Sequence, residues 1–239
     1  MGKQLRESDP CFKTHQSYYK QVKPLVDVMI IENVPEYKPC VIQKELGPEW
    51  QMESAVVDPR VFGVAASRSR LYAICWKTET VTWRADVKMK EVIDLLTSSV
   101  VAEAGSFYWK DLPKSQLTDS QERVLADYKK LTSLRYCDLS QYPSNDRARG
   151  ECSDGTLPTL TTNSSKIYSQ DKQRFLTGEE MLNSMVLPTT KEQSHTCGAP
   201  KLELGDMGNT MMAKCAGNSM SAACMGAIAM VALLALEPR

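Results

Sequence analysis

Histidine is nearly absent from this chain of 239 residues, with His15 and His195 the two copies, and none of the eight cysteines stands in a Cys-x-x-Cys spacing. A structural zinc site needs several such ligands at short spacing, so that class is excluded. Both histidines fall in stretches that read as polar loops, so neither is placed for general-base work. Net charge is also missing: 29 basic side chains balance 29 acidic ones. A strongly basic nucleic-acid coat protein is thereby excluded, although a local basic cleft is not. There is no strand–Gly-x-Gly–helix loop to cradle a nucleotide phosphate, no internal repeat and no low-complexity tract. The amino terminus, Met-Gly-Lys-Gln, is polar and does not read as a secretory leader. Met220 to Leu236 is free of charge, but it is short for a membrane span and rich in Ala and Met. It reads as the core helix of a soluble protein.

What is present is ordinary globular chemistry. The charged fraction is 24% and the apolar fraction 42%, enough for one large or two small domains. The cysteines lie at 11, 40, 75, 137, 152, 197, 215 and 224. Cys75 and Cys224 fall in apolar runs and read as buried thiols in a reducing compartment.

The hydrophobic pattern predicts an α/β chain. Asp27–Ile31 is Val/Ile/Met-rich without polar alternation, which suits a strand buried on both faces in a parallel sheet. Lys38–Leu46 reads as a crossover helix stopped by Gly47-Pro48. Gln51–Val57 and Leu71–Trp76 read as two further strands, near enough in sequence to pair as a hairpin. A helix is expected within Ser17–Val26 and another within Val87–Thr97. Thr118-Asp119-Ser120-Gln121 is a capping box that opens a helix to about Leu131, and Thr177-Gly178-Glu179-Glu180 is a second one. Tyr136–Asp154 and Thr189–Leu204 read as loops. Arg147 and Arg149 lie among acidic residues and read as a solvated surface.

Two runs carry chemistry. Ile30-Ile31-Glu32-Asn33-Val34-Pro35 is a buried strand ending in a carboxylate and an amide. Ala66-Ser67-Arg68-Ser69-Arg70 places two arginines, one residue apart, just before the next strand. A carboxyl and a guanidinium at strand ends can read a planar polar ring, one at a ring nitrogen and the other at a carbonyl oxygen.

These runs resemble the cytosine-5 DNA methyltransferases. That family has Glu-Asn-Val at a strand end and, further on, Gln-x-Arg-x-Arg leading into another strand; here the glutamine is Ala66. Downstream, Arg174-Phe175-Leu176-Thr177-Gly178-Glu179-Glu180 is similar to its Arg-x-Leu-Thr-x-x-Glu motif. Ala216-Gly217-Asn218-Ser219 is similar to its final Gly-Asn-Ser motif. Four motifs in order are far more specific than any one of them.

The resemblance implies a partial, Rossmann-like S-adenosylmethionine-dependent sheet formed by 1–78 and 211–239, with a small target-recognition subdomain at 79–210. It implies DNA as partner and S-adenosyl-L-methionine as cofactor, with no metal and no membrane. A cysteine thiolate adds to C6 of the cytosine, and C5 then takes the methyl group. Glu32 would protonate N3 of the flipped-out base, and Arg70 would bond O2. Arg68 would position the site or a backbone phosphate. Asn33 and Val34 would flank the base, while Asn218 and Ser219 would lie near the cofactor.

The chain departs from the family in two motifs. Neither the Phe-x-Gly-x-Gly cofactor loop nor Pro-Cys-Gln, which carries the nucleophile, occurs in residues 1–239. Gly2-Lys3-Gln4 matches the residues that often follow Pro-Cys-Gln, and Asp9-Pro10-Cys11 is a poor substitute for it. The expectation is a carboxy-terminal portion, inactive alone, whose open sheet edge favours association with another chain. Two alternatives stay open: a non-catalytic DNA-binding or regulatory relative, and a tRNA cytosine-5 methyltransferase. The Cys-Phe-Thr signature of the tRNA branch is not found between the arginines and Arg174.

Overall fold

The computed structural model describes residues 10–144, 155–161 and 166–239. Arg147, Arg149 and Gly2-Lys3-Gln4 lie outside them. The chain divides into two compact units. One comprises Met1–Val57, Arg70–Leu96 and Ala227–Arg239; the other comprises Asp58–Ser69 and Thr97–Gly226.

The first unit is built on a three-stranded sheet. Its strands are β1 (Val28–Asn33), β2 (Trp50–Val57) and β3 (Arg70–Lys77), in the order β1-β3-β2. Helix α1 (Pro10–Val22), which carries Cys11 and His15, precedes the sheet, and α2 (Pro39–Leu46) connects β1 to β2. Gly47 ends α2 at φ 93°, a conformation that side chains other than glycine rarely adopt. Met29, Ile31, Leu71, Ala73 and Cys75 from the strands pack against Ile42, Leu46 and Trp50. Burial pushes the Cys75 thiol up to about 12, which makes it an inert core residue.

The expected parallel sheet is corrected. Both hydrogen-bonded pairs, β1 with β3 and β2 with β3, are antiparallel. The apolar run of Asp27–Ile31 encodes burial, and burial does not specify the direction of the neighbouring strand. Leu71–Trp76 is buried at every position of β3. The α2 crossover does join two strands of one direction, β1 and β2, but β3 inserts between them.

Two short pieces complete this unit: β4 (Val81–Trp83) and α3 (Met89–Leu95). Trp83 lies against Trp76 with ring centroids 5.0 Å apart. Helix α8, described below, contributes Ala227–Ala235 to the first unit, and β8 (Leu236–Pro238) pairs antiparallel with β4. The hydrophobic pattern did not reveal these three-residue strands, because two alternating positions are too few to read.

The second unit contains α4 (Asp119–Leu131) and the antiparallel strands β5 (Tyr136–Asp138), β6 (Ile167–Ser169) and β7 (Arg174–Phe175). It continues with α5 (Gly178–Ser184), α6 (Lys191–Cys197), α7 (Asn209–Asn218) and the start of α8 (Ala222–Ala235). The capping boxes at Thr118 and Thr177 form as the sequence predicts. Helix α6 replaces the loop expected at 189–204, and His195 lies on it. Its signal was present in Thr190-x-x-Gln193, a third capping box.

The stretch Asn209–Ala235 is apolar and long enough to cross a membrane by length and composition. It is not one helix: Ser219 is extended and ends α7. Helix α8 alone has 14 residues, a length of about 21 Å against a hydrocarbon core of about 30 Å. Cys224, Ile228, Val231 and Ala235 are buried.

Two non-glycine residues of the second unit have left-handed backbone among the described residues, Gln173 at φ 53° and Val186, and the β-branched Val186 carries the greater strain. Val186 follows α5 with φ 61°. Its neighbour Leu187 donates to the carbonyl of Leu182 at 3.2 Å, a helix-ending bond that calls for a left-handed residue. A β-branched residue adopts that conformation at a cost of about 1–2 kcal/mol. Val186→Gly is therefore expected to stabilise the protein by about 1 kcal/mol in denaturant unfolding. A loss of stability would show that the Val186 side chain contributes more than its backbone strain costs.

Candidate functional site

Glu32 is the fifth residue of β1 and lies directly across from Tyr72 of β3. Alternation along the strands places Glu32, Tyr72 and Arg70 on the same face of the sheet. Arg70 is two residues from Tyr72, the diagonal neighbour that a long side chain reaches. Arg70 Nε stands 3.2 Å from Glu32 Oε1, with 16% and 20% of the two side chains exposed. The separation is that of an ion pair, yet Oε1 is buried and accepts no hydrogen bond from the described residues. A mostly buried carboxylate oxygen held by charge alone retains lone pairs for an incoming donor.

Next to it, Asn33 Oδ1 accepts the Val34 N–H at 2.9 Å, and Tyr37 N–H donates to the Val34 carbonyl. The amide thus fixes the turn that leaves β1. Val34 is exposed.

Arg68 belongs to the second unit and is 4% exposed. Its Nη1 donates to the Leu160 carbonyl at 3.3 Å, and its Nη2 to the Gly217 carbonyl at 3.2 Å. The Arg68 backbone N–H donates to Asp58 Oδ2 at 3.1 Å, while Asp58 Oδ1 accepts from Arg60 Nε at 2.7 Å. Asp58 therefore closes the loop that carries the arginine motif. The loop also runs beside Leu157–Thr159: Ser67 N–H donates to the Leu157 carbonyl, and Thr159 Oγ1 donates to the Ser67 carbonyl at 2.8 Å. This guanidinium faces carbonyl oxygens in the interior, which suits positioning and not phosphate contact. Ala66, where the resembled family has glutamine, is 1% exposed in an apolar cluster with Leu157, Leu160 and Leu182.

The contact of Arg68 with Gly217 joins the arginine motif directly to the Gly-Asn-Ser motif, although 149 positions separate them. It also sets a cation at the carboxyl end of α7, where the helix dipole favours one. The Asn218 side chain is exposed and makes no hydrogen bond among the described residues. Ser219 Oγ is engaged with the Ala216 carbonyl at 2.8 Å. One free amide and one engaged hydroxyl do not make an S-adenosylmethionine site. Such a site also needs an acid for the ribose and a backbone cradle.

The Arg174–Glu180 motif is an internal anchor. Arg174 Nη2 and Nη1 meet Glu180 Oε1 and Oε2 at 2.7 and 2.9 Å. The two residues are 3% and 0% exposed. Glu180 also accepts the backbone N–H of Lys110 and of Thr177, each at 2.9 Å. Arg174 donates to the Lys110 carbonyl and lies over the Tyr108 ring. Burial pushes the Glu180 carboxyl up, but the bonds from Arg174, Thr177 and Lys110 outweigh it and hold the group below its usual range. Gly178 is obligatory there for another reason. A Cβ would stand 2.3 Å from the Asn209 carbonyl oxygen, so α5 and α7 could not approach.

A pocket of about 380 Å³ lies in the second unit, lined by Val64, Phe107, Val186, Pro188 and Cys197 among others. None of the residues singled out from the sequence lines it. No three His, Cys, Asp or Glu side chains among the described residues are grouped to hold a metal ion.

No family model matches this chain, and no curated protein does. Solved structures do. The Entamoeba histolytica methyltransferase EhMeth matches at 15% identity and a TM-score of 0.52, over 95% of this chain and 68% of its own. The S. pombe Dnmt2 methyltransferase matches at 15% identity and a TM-score of 0.53, over 98% and 74%. A triple mutant of Spodoptera frugiperda DNMT2 matches at 19% identity and a TM-score of 0.52, over 97% and 75%. The fold of this chain is the mixed α/β fold of these methyltransferases.

Proposed function

We propose that this chain carries the base-reading part of a DNA cytosine-5 methyltransferase. The observation that carries the reading is the Glu32–Arg70 pair, with a buried carboxylate oxygen that accepts no hydrogen bond from the described residues. Cytosine offers two matching groups, the ring nitrogen N3 and the carbonyl O2. A Glu32 oxygen not saturated by internal donors can take up a proton and donate it to N3, and Arg70 donates to O2, an arrangement that needs both side chains on one face. Arg68 acts as a positioning residue, holding Gly217 and with it the end of α7 that presents Asn218. Asn33 sets the turn after β1 and Val34 flanks the base, while 79–210 supplies target recognition.

S-adenosylmethionine as methyl donor rests on the family resemblance, in support of which stands the likeness of fold. Asn218, with Ser219, is the part of this chain that would border it. The remaining cofactor contacts and the thiolate nucleophile belong to the Phe-x-Gly-x-Gly and Pro-Cys-Gln motifs, which residues 1–239 lack. Completion by another polypeptide segment is therefore part of the proposal.

The test is methyl transfer from labelled S-adenosylmethionine to cytosine-containing DNA. Residues 1–239 alone are expected to transfer none. The same residues preceded by a segment bearing Pro-Cys-Gln are expected to be active. Transfer by the 239 residues alone, abolished by Cys11→Ser, would make Cys11 the nucleophile and overturn this division of labour. Methylation of tRNA in preference to DNA by the completed protein would move the substrate to the family's other branch.

A further inference from the structure

A protein that works on a base in DNA draws much of its affinity from phosphate contacts, and the interior placement of Arg68 leaves that role open. Residues 58–70 contain three arginines and a single acid, a local charge of +2 in a chain whose total is zero. Arg68 is buried and directs its guanidinium at carbonyls within the second unit. Arg70 is tied to Glu32, with 16% of its side chain exposed. Arg60 is the most open of the three, with 33% exposed.

Arg60 is also firmly aimed. Asp58 grips it as a fork: Arg60 Nε meets Oδ1 at 2.7 Å and Nη2 meets Oδ2 at 3.3 Å. The carboxylate accepts the backbone N–H groups of Arg60 and Arg68 as well, at 3.0 and 3.1 Å. Its charge is therefore shared with backbone donors, and it scaffolds the loop besides serving as a counter-ion. The backbone around Arg60 is pinned too. The Arg60 carbonyl accepts the Gly63 N–H at 3.0 Å, the Val61 carbonyl accepts the Ser98 N–H at 2.8 Å, and the Gly63 carbonyl accepts the Ala102 N–H at 2.8 Å. Gly63 has φ 84°, and a Cβ there would stand 2.7 Å from the Val100 carbonyl oxygen, so this turn requires glycine. All of these contacts lie within the second unit. A guanidinium held in advance loses less rotamer freedom when it binds.

We propose that Arg60 contacts a DNA phosphate, the role that the sequence offered to Arg68. The inference rests on the reading of DNA as substrate. A guanidinium suits phosphate oxygens and stays charged at every working pH. Only Asp58 and Pro59 separate Arg60 from Val57, the end of β2 that pairs with Arg70. Chain connectivity thus ties the phosphate contact to the strand end from which the base is read.

The test is equilibrium binding of residues 1–239 to a cytosine-containing DNA duplex across a salt series. A lost phosphate contact has a signature that a structural role lacks: the slope of log affinity against log salt flattens by about 0.9 per contact, whatever the base sequence. Arg60→Ala is expected to flatten the slope by about one contact and to weaken binding about three- to tenfold, alike on two unrelated duplexes. Arg60→Lys keeps the charge and is expected to keep the slope. Lys90→Ala removes a cation from α3, where the side chain is 83% exposed, and is expected to leave the slope unchanged. A slope untouched by Arg60→Ala would overturn the proposal. So would a slope lost equally in Arg60→Lys or in Lys90→Ala, or an unmodified chain without salt-dependent binding. Methyl transfer separates this inference from the reading beneath it. If the completed protein transfers methyl groups while Arg60→Ala keeps the full slope, Arg60 alone is refuted. If the slope flattens but the completed protein transfers none, the base-reading role is refuted and Arg60 stands as a nucleic-acid contact.

Discussion

Arg174→Ala is expected to destabilise the second unit by about 3–5 kcal/mol, enough to unfold a marginally stable domain at ambient temperature. The reason is the environment of Glu180, whose side chain is fully buried. Removing the guanidinium strands a charge away from water, and the two backbone N–H donors from Lys110 and Thr177 cannot replace it. It also frees the Lys110 carbonyl, which Arg174 now satisfies at 2.7 Å. Glu180→Ala should cost a similar amount from the other side, leaving the guanidinium unpaired. The double replacement Arg174→Met, Glu180→Met should cost less than either single change, because no buried charge then remains. Denaturant unfolding of the three variants checks this. If the single changes each cost under about 1 kcal/mol, the pair behaves like a surface ion pair and the burial argument fails.

The same pair sets an acid limit. Glu180 is held below its usual range in the folded protein, against about 4.3 when unfolded. A lowered folded value means that the contribution is fully present above the unfolded value. It is lost as pH falls through the folded one. The unit should therefore lose stability progressively below about pH 4, and the double Met variant should lose less over that range.

Glu32→Gln is expected to lower the rate of methyl transfer by about 10²–10⁴-fold in a protein completed with a Pro-Cys-Gln segment. DNA affinity should change by less than about tenfold. An amide matches the carboxyl in size and still hydrogen-bonds the ring, but it cannot deliver a proton to N3 as the thiolate adds. The distinction lies in which constant moves. Equal loss of rate and affinity would mean that Glu32 only holds the base. No loss of either would remove Glu32 from the chemistry and leave its ion pair with Arg70 as a structural tie between β1 and β3. Single-turnover rates and equilibrium DNA binding on the same preparations separate these outcomes.

The sequence by itself determined what short range decides. Apolar runs defined Asp27–Ile31, Gln51–Val57 and Leu71–Trp76 as strands, because burial of a pleated segment leaves its mark on each residue in turn. Thr118 and Thr177 defined helix starts, since a cap is made within four residues. Glu32, Arg68, Arg70 and Asn218 were likewise legible as motif residues. Tertiary structure alone decided how these pieces combine. The parallel pairing expected of Asp27–Ile31 was misread because an apolar run records burial and not the direction of the neighbouring strand; only the insertion of β3 between β1 and β2 decides it. Cys-rich or His-rich signatures could not locate a site, since there were none to read.

The fate of Arg68 also lay beyond the sequence. Its partners are the carbonyls of Leu160 and Gly217, and every residue has a carbonyl, so no residue type announces the contact. Arg174 and Glu180 were legible as motif residues, and Glu180 as part of a capping box, but not as a pair until the fold buried both. Charge is visible in a sequence; whether water surrounds it depends on what the rest of the chain packs over it.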